Sequence, residues 1–308
     1  MRKTLLLVAL FCVPSLILAK DKPRPKITSI VQVRILTTDV QKAKDFYYGI
    51  LETLPEDFPG QPCNWCERMP AESRGPIEFD AVRGQVPRNL IAAVAFRTDN
   101  AEGLRKLLKK NKVKVGKLTK WPNGATFSVL DPEKHHLIFV EGTESNLVDW
   151  GMPGAYSSEP KTWSHAIIHV GWVVNDRAAM DKFYRDILGF HEYWHGGMKD
   201  GDTDWVDMQV PDGKDWIEYM LNVPVDADQQ LRGVMNHIAI GVKDVRAADK
   251  ALIASQIKFD IKEKPEIGRD GKWQLNLYDP DDTRVELMEF TPVEKPCCSE
   301  YTGAHPKP

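Results

Sequence analysis

Cysteine, net charge and long apolar runs are all scarce in this chain of 308 residues. Its 41 lysines and arginines are balanced by 44 aspartates and glutamates, so there is no basic excess of the kind that nucleic acid binding requires. The apolar run from Leu5 to Leu18 is shorter than the ~20 residues that a membrane-spanning helix needs, and no later run is long enough. We therefore expect neither a nucleic acid partner nor a membrane-embedded protein.

The first 19 residues have the pattern of a secretory signal peptide. The basic residues Arg2 and Lys3 precede the apolar run, and the small residue Ala19 follows it as a cleavage site. We predict that residues 1–19 are removed and that the mature chain, with no membrane anchor, is periplasmic or secreted.

Only four cysteines remain after such a cleavage, and they stand in two close pairs. The pairs are Cys63 with Cys66 and Cys297 with Cys298. In an oxidising compartment four thiols favour two disulfides with three connectivities, over a zinc site or a redox motif. A bond from the tail to the Cys63 region would close a loop of over 200 residues and stabilise the fold by roughly 4–5 kcal/mol.

The chain contains an internal repeat, which divides it into two domains. The segment from Val40 to Leu51 resembles that from Arg177 to Leu188, and Leu130–Ile138 resembles Tyr278–Glu286. A linker rich in Gly, Pro and Ser follows residue 150. We predict a first domain over residues 27–145, a second over 162–292 and a cysteine-containing tail over 293–308.

Each domain divides again into two similar units. An apolar run that ends at an aspartate is followed by an amphipathic segment and then by shorter strand-like runs. In the third unit, Met180, Phe183, Tyr184 and Ile187 recur at helical spacing. Each unit is thus predicted as strand, helix and three strands, which places the protein in the α+β class.

The second domain carries the same pair of chemical groups twice. His169 and His237 each stand seven residues before an aspartate, and Glu218 and Glu286 each follow 49 residues after the corresponding histidine. Two imidazoles and two carboxylates placed equivalently by a duplicated unit suit one divalent metal ion, such as zinc, nickel, cobalt, manganese or ferrous iron. The ligand types alone do not choose among these metals.

The first domain lacks this set. The equivalent positions are occupied by Gln32, Glu78, Ala92 and Ile138. Because alanine and isoleucine cannot bind a metal, we predict a degenerate copy without a metal site. We expect His135 and His136 to be surface residues.

These motifs resemble the vicinal oxygen chelate superfamily, which includes glyoxalase I, bleomycin resistance proteins and extradiol dioxygenases. The resemblance rests on the strand histidines, the helix end Phe183–Phe190 and the closing segment Asp279–Leu287. It implies tandem βαβββ modules whose sheets curl into incomplete barrels around a metal. It also implies that a ligand glutamate leaves the metal to carry a proton, with Glu218 and Glu286 as the catalytic candidates.

Three functions remain open on this resemblance. The first is a glyoxalase-like lyase or isomerase that abstracts a proton from a small substrate with vicinal oxygens. The second is an extradiol-type Fe(II) dioxygenase with the ligands His169, His237 and Glu286, although Gln274 and Asn276 stand where its signature has a histidine. The third is a non-catalytic binder of metal or small molecules.

Further residues are candidates for the surroundings of the site. His195 could overhang the site and carry protons, and Arg284 could hold an anionic substrate. Some of the aromatic residues could line a pocket, although most are expected in the core: Trp172, Tyr193, Trp194, Trp205, Trp216 and Tyr219. The resemblance leaves a homodimer open, but both ligand pairs lie in one domain, so we expect a site within one chain.

Overall fold

The structure, a computed structural model, describes residues 23–53, 77–122, 124–142, 167–255 and 263–307. The predicted signal peptide, Cys63, Cys66 and the linker after residue 150 lie outside this part of the chain. In the described ranges no helix is both long and apolar enough to cross a membrane.

The amino-terminal part of the chain forms a six-stranded mixed sheet. Its strands are β1 (Ile27–Thr37), β2 (Ile77–Ala81), β3 (Ile91–Thr98), β4 (Thr119–Trp121), β5 (Gly124–Leu130) and β6 (His136–Glu141). They lie in the order β2-β1-β3-β6-β5-β4. Two helices accompany this sheet, α1 (Val40–Thr53) and α2 (Ala101–Lys110).

The carboxy-terminal part forms an eight-stranded sheet of the same plan. Its strands are β7 (Ile167–Val173), β8 (His191–Gly196), β9 (Trp205–Gln209), β10 (Trp216–Met220), β11 (His237–Val242), β12 (Glu266–Ile267), β13 (Trp273–Tyr278) and β14 (Arg284–Glu289). Their order is β12-β13-β14-β11-β7-β10-β9-β8, so β7 and β11 lie at the centre. Both sheets are curled, and the predicted α+β class with tandem βαβββ modules is confirmed.

Three helices accompany the second sheet. They are α3 (Arg177–Asp181), α4 (Gln229–Met235) and α5 (Val245–Ala254), and α3 continues as a π-helical segment over Lys182–Leu188. The aspartates that end the strands act as helix caps. Asp176 accepts a hydrogen bond from Ala179 N at the start of α3, and Asp244 accepts two from the first turn of α5. In α2 the cap is Asn100 rather than the preceding Asp99.

The main hydrophobic core lies between the helices and the sheets and runs through both modules. It includes Tyr47, Leu104, Tyr184 and Leu252 from helical segments together with alternate residues of the central strands. Because side chains alternate across a strand, the remaining positions face the other side of each sheet. In the second module that side carries the candidate site.

Two equivalent tyrosine–aspartate hydrogen bonds join the modules. Tyr47 on α1 donates its hydroxyl proton to Asp279 Oδ2 at 2.9 Å, and Tyr184 donates to Asp131 Oδ2 at 3.0 Å. Each bond is buried, and each runs from the first helix of one module to the last turn of the other. Burial in an apolar core makes such a bond costly to lose. The pair therefore fixes the two modules against each other.

One prediction about a side chain is wrong, and one disulfide connectivity that the sequence left open is excluded. His135 lies under the ring of Trp172, with ring centroids 4.4 Å apart, and its Nδ1 is 2.8 Å from Asp131 Oδ2, so it belongs to the module contact rather than the surface. Cys297 is bonded to Cys298. The connectivity that ties the tail to the first module is therefore absent, because both tail thiols are used by each other.

We predict that Tyr47→Phe and Tyr184→Phe each lower the free energy of unfolding by about 1–3 kcal/mol, because each leaves a buried carboxylate short of a hydrogen bond. Urea denaturation measures the change. Tyr278→Phe is the matched control, since Tyr278 donates to Glu263 within one module and is only partly buried. An equal, small effect in all three variants would show that the two hydrogen bonds between the modules stabilise the fold no more than the control bond within one module.

A second prediction concerns pH. Burial raises the pKa of Asp279 to about 6, against the hydrogen bonds that it accepts from Thr283, Asp281 and Tyr47. The folded chain therefore binds one more proton than the unfolded chain between about pH 4 and pH 6, so this group's contribution to stability falls as pH rises through that window. Between about pH 4 and pH 6 the parent should therefore lose about 1–3 kcal/mol more stability than Asp279→Asn, because the asparagine does not titrate.

Chemical denaturation at pH 4 and pH 6.5 measures this difference. Asp186→Asn is the control, because the Asp186 side chain is 63% exposed. Identical pH dependence in the parent and in Asp279→Asn would contradict the prediction.

Candidate metal centre

The pairing of four neighbouring strands brings the predicted ligands to one place. In the register of β7 with β11, His169 lies opposite Ala239 and His237 lies opposite Gly171. On the two outer sides, Glu218 of β10 pairs with Gly171, and Glu286 of β14 pairs with Ala239. The two histidines and two glutamates therefore alternate around the centre of the sheet.

The ligand atoms of these four side chains converge. His169 Nε2 lies 3.1 Å from His237 Nε2 and 3.3 Å from Glu286 Oε2. Glu218 Oε2 lies 2.9 Å from His237 Nε2 and 3.7 Å from His169 Nε2. Among the described residues, His169, His237 and Glu286 form a buried group with all ligand atoms within 4.8 Å of one another. All four sequence-predicted ligands are thus brought together.

Gly171 makes room for this arrangement. A Cβ atom at Gly171 would overlap the imidazole ring of His237. A side chain here would therefore displace the ring that the neighbouring strand presents. Glycine is required at this position for its lack of a Cβ atom.

The protonation of the histidines suits metal binding. His237 Nδ1 lies 3.0 Å from the backbone oxygen of Met235, which can only accept, so Nδ1 carries the proton and Nε2 presents its lone pair to the centre. Burial, followed by the charge of Arg284, lowers the pKa of His237 to about 3, and burial lowers the pKa of His169. Both rings are therefore neutral at pH 7, which is the form that binds a metal.

The two carboxylates differ from each other. Burial acts to raise the pKa of Glu286, but the hydrogen bond from His169 and the charge of Arg284 hold it down at about 2. Burial raises the pKa of Glu218 against the opposing charges of His169 and Arg284. The Glu286 side chain is 4% exposed, whereas that of Glu218 is 14% exposed. Glu286 is thus an ionised carboxylate deep in the site, and Glu218 is the carboxyl group nearer to solvent.

A cavity of about 250 Å³ opens above these ligands. Its walls are largely aromatic and sulfur-containing, with two arginines and two aspartates between them. The lining includes Trp194, Trp205, Trp216, Met198, Met220, Met235, Met288, Asp207, Asp270, Arg269 and Arg284. A small molecule with a polar end and an apolar body fits such a site.

The first module holds a different set at the same positions. Gln32 Nε2 donates to Glu78 Oε1 at 2.9 Å, and Arg34 donates to Glu78 Oε2 at 2.8 Å. Glu78 pairs with Arg34 in β1, as Glu218 pairs with Gly171 in β7. An arginine thus stands where the second module has its glycine, and its positive charge balances the glutamate.

The strand register corrects one predicted equivalence. Ala93 lies opposite Arg34, as His237 lies opposite Gly171, so Ala93 rather than Ala92 is the counterpart of His237. Ala92 stands seven residues before Asp99, as His237 stands before Asp244, but the residue that caps α2 is Asn100, so the equivalent position moves by one residue. Ile138 pairs with Ala95 as Glu286 pairs with Ala239, in agreement with the prediction.

The structure separates the remaining candidates. Arg284 lies in the cavity. His195 does not line it; it lies on the edge strand β8, where its Nδ1 is 2.7 Å from Glu192 Oε1. The proposed role for His195 over the site is therefore wrong, because a strand, not a turn, carries it. Of the aromatic residues, Trp194, Trp205 and Trp216 line the cavity, while Trp172, Tyr193 and Tyr219 are buried in the core.

Sequence reasoning missed a second layer behind the cavity. Lys272 is fully buried, and its Nζ lies 4.4 Å from the ring of Trp216, 5.1 Å from that of Tyr301 and 3.5 Å from Asp270 Oδ2. Trp216 in turn stacks beside His169, with ring centroids 4.7 Å apart. A lysine followed by a tryptophan carries no sequence signal for this cation–π arrangement.

Asp207 was also missed, although a signal for it existed. It lies opposite Glu218 in the pairing of β9 with β10, and it is buried in the cavity wall. Burial and the neighbouring Glu218 raise its pKa well above the usual value. An aspartate at an inward position of a strand otherwise lined by apolar residues is the pattern that would have indicated it.

The chain is similar to known proteins at two levels. Residues 166–287 match the family model of the Glyoxalase/Bleomycin resistance protein/Dioxygenase superfamily. This match confirms the resemblance predicted from the motifs of the second domain. A comparison with curated protein sequences finds no match.

Solved structures with a similar fold include dioxygenases. BphC, a halotolerant catechol dioxygenase, is 17% identical, with 92% of this chain and 95% of that one covered at a TM-score of 0.59. A catechol 2,3-dioxygenase is 15% identical, with coverages of 91% and 95% and a TM-score of 0.58. An extradiol ring-cleaving dioxygenase from B. fuscum is 18% identical, with 92% and 75% covered and a TM-score of 0.56. At these identities the likeness shows the fold.

We predict that the purified chain binds about one divalent metal ion and that His169→Ala, His237→Ala and Glu286→Gln each lose at least about nine-tenths of it, because each removes a buried ligand. Metal analysis after gel filtration measures the content. Gln32→Ala, the equivalent change in the first module, is the control and should keep the metal. Retention of full metal content by all three site variants would contradict the assignment.

Proposed function

We propose that this chain is a metal-dependent enzyme that transfers a proton on a small substrate with two neighbouring oxygen atoms. Its residues 166–287 match the family model of the Glyoxalase/Bleomycin resistance protein/Dioxygenase superfamily. The observation that carries the proposal is the second carboxylate at the centre, Glu218, whose Oε2 lies 2.9 Å from His237 Nε2. A site that only held a metal by two histidines and one carboxylate would not need it.

In this proposal His169, His237 and Glu286 hold the metal. A divalent cation there would polarise a substrate carbonyl and stabilise the negative charge that develops on its oxygen. Neutral imidazoles and an ionised, buried glutamate are the donor set that such a cation requires. The ligand set leaves zinc, nickel, manganese and ferrous iron open.

Glu218 is the proton carrier in this proposal. It lies beside the ligands but is the more exposed of the two glutamates, at the floor of the cavity where a substrate would sit. A carboxylate at this position could take the proton from the hydroxyl-bearing carbon and return it to the neighbouring carbonyl carbon, while the hydroxyl proton moves to the carbonyl oxygen, so that alcohol and carbonyl exchange places. Glu286, the more buried of the two glutamates, stays in place as a ligand.

An Fe(II) extradiol dioxygenase is the second candidate. It is favoured by the buried group of His169, His237 and Glu286, which has the composition of the two-histidine, one-carboxylate iron site. Similar solved structures include dioxygenases, and the chain covers 95% of two of these. Glu218 argues against it, because its Oε2 lies 2.9 Å from His237 Nε2, and a fourth ligand there would leave two of six coordination positions, too few for both catechol oxygens and dioxygen together.

We also propose that the mature chain acts outside the cytosol, on the strength of the apolar run from Leu5 to Leu18 behind a basic start. Glutathione adducts are cytosolic compounds, so a different vicinal-oxygen substrate is expected.

The test is proton exchange. The metal-loaded chain is incubated in D2O with acetoin or mandelate, and loss of the carbinol C–H signal is followed by NMR. We expect Glu218→Gln to slow the exchange by about 10²–10⁴-fold, because it removes the base. Glu78→Gln, at the equivalent position of the first module, should leave the rate unchanged.

Metal content and oxygen uptake decide between the candidates. Slow exchange in Glu218→Gln with metal retained supports the proton carrier. Oxygen uptake with catechol by the ferrous form that survives Glu218→Gln would favour the dioxygenase. Metal binding with neither reaction would leave a binding protein.

A further inference from the structure

Arg284 is a charged side chain in the cavity without a carboxylate partner. It lies on β14 two residues before Glu286, so it faces the same side of the sheet. Among the residues that the structure describes, no acidic oxygen lies within 4.0 Å of its guanidinium, and its Nε is buried without a hydrogen-bond partner. Its hydrogen bond goes from Nη2 to His237 Nε2 at 2.9 Å.

The acceptor of this hydrogen bond, His237 Nε2, is the atom that would coordinate a metal. His237 Nδ1 donates to the backbone oxygen of Met235, so the lone pair on Nε2 is the one available for coordination. The same lone pair cannot accept a hydrogen bond from Arg284 and bind a cation at the same time. With metal at the centre, Arg284 therefore loses its acceptor and needs another in a partly buried site.

The charges of the site point to an anionic acceptor. The two charges of a divalent ion are matched by Glu218 and Glu286, and Asp270 is paired with the buried Lys272, so no carboxylate of the described residues is left within 4.0 Å to compensate the charge of Arg284. The other arginine of the cavity, Arg269, already pairs with Asp200 and donates to Gly197 O at 3.2 Å. Arg284 is thus the cation of the cavity that is available to a ligand, within the described ranges.

The residues that line the cavity next to Arg284 indicate the chemistry of the rest of the ligand. Trp194, Trp205 and Trp216 line the cavity together with Met235 and Met288. These surfaces have no charge and favour an apolar or aromatic group. A planar guanidinium beside them suits the two oxygens of a carboxylate.

We infer that Arg284 binds the substrate and that the substrate is a 2-hydroxy- or 2-oxocarboxylate with an apolar or aromatic substituent. One carboxylate oxygen and the neighbouring oxygen face the metal position, and the carboxylate also accepts from Arg284. This inference rests on the proposed function, because it requires a metal at His237.

Two matched pairs of probes test it by titration calorimetry on the metal-loaded chain. Mandelate is compared with the neutral 1-hydroxy-1-phenylpropan-2-one, and lactate with the neutral acetoin. Each pair keeps the vicinal oxygens and exchanges the carboxylate for a ketone. We expect Arg284→Gln to weaken binding of the acids by about tenfold to a hundredfold, as for loss of a charge-assisted hydrogen bond, and to leave the ketones unchanged.

Arg246→Gln is the matched control. It removes the same charge from the same module, but from a side chain that is 57% exposed and lies outside the cavity, so both probe classes should bind as before. Equal loss of acids and ketones in Arg284→Gln would overturn the inference, as would unchanged binding of the acids. Absence of acid binding to the parent would overturn it as well.

Metal content separates this inference from the proposed function. If the parent holds metal and exchanges protons on acetoin but binds no acid, the inference fails and the proposed function stands. If the parent holds no metal, the proposed function fails first. Arg284→Gln must retain its metal, which metal analysis of the same sample establishes.

Discussion

The candidate centre depends on the absence of one side chain, that of Gly171. This residue lies on the central strand β7 between two neighbours, His237 on β11 and Glu218 on β10. A Cβ atom there would overlap the His237 ring, so any other residue would push the imidazole away from His169. The ligands come from four different strands, and the distances between them are short because the strand spacing and the missing side chain allow it.

The first module shows what the same fold does without that glycine. Arg34 stands at the equivalent position, and its guanidinium neutralises Glu78 while Gln32 completes the hydrogen bonds. The adjoining positions pack Val31, Ala95 and Ile138 against one another. The module thus keeps its sheet and its carboxylate, and an arginine supplies the positive charge that balances this carboxylate. The hydrogen bonds from Tyr47 to Asp279 and from Tyr184 to Asp131 join it to the second module.

The positions of the four candidate ligands could be predicted because the sequence pattern that contains them occurs twice in the chain. The repeat identifies His169 and His237 by their distance to a helix-capping aspartate, and Glu218 and Glu286 by their distance to each histidine. The same reasoning was wrong at Ala92, where the cap is Asn100 and the register moves by one residue. It was also wrong at His195 and His135, because a strand edge and a contact between modules depend on partners distant in sequence.

The amino-acid sequence by itself determined the four-unit plan, the α+β class and the four candidate ligands, since these follow from local periodicity and from duplicated spacing. The tertiary structure alone decided how the ligands divide: Glu286 lies buried against His169, while Glu218 lies closer to solvent. It also placed Arg284 on the lone pair of His237 and Lys272 behind Trp216. The physical reason is that burial, pKa and the choice of hydrogen-bond partner depend on which strands lie side by side, and spacing along one strand does not contain that information.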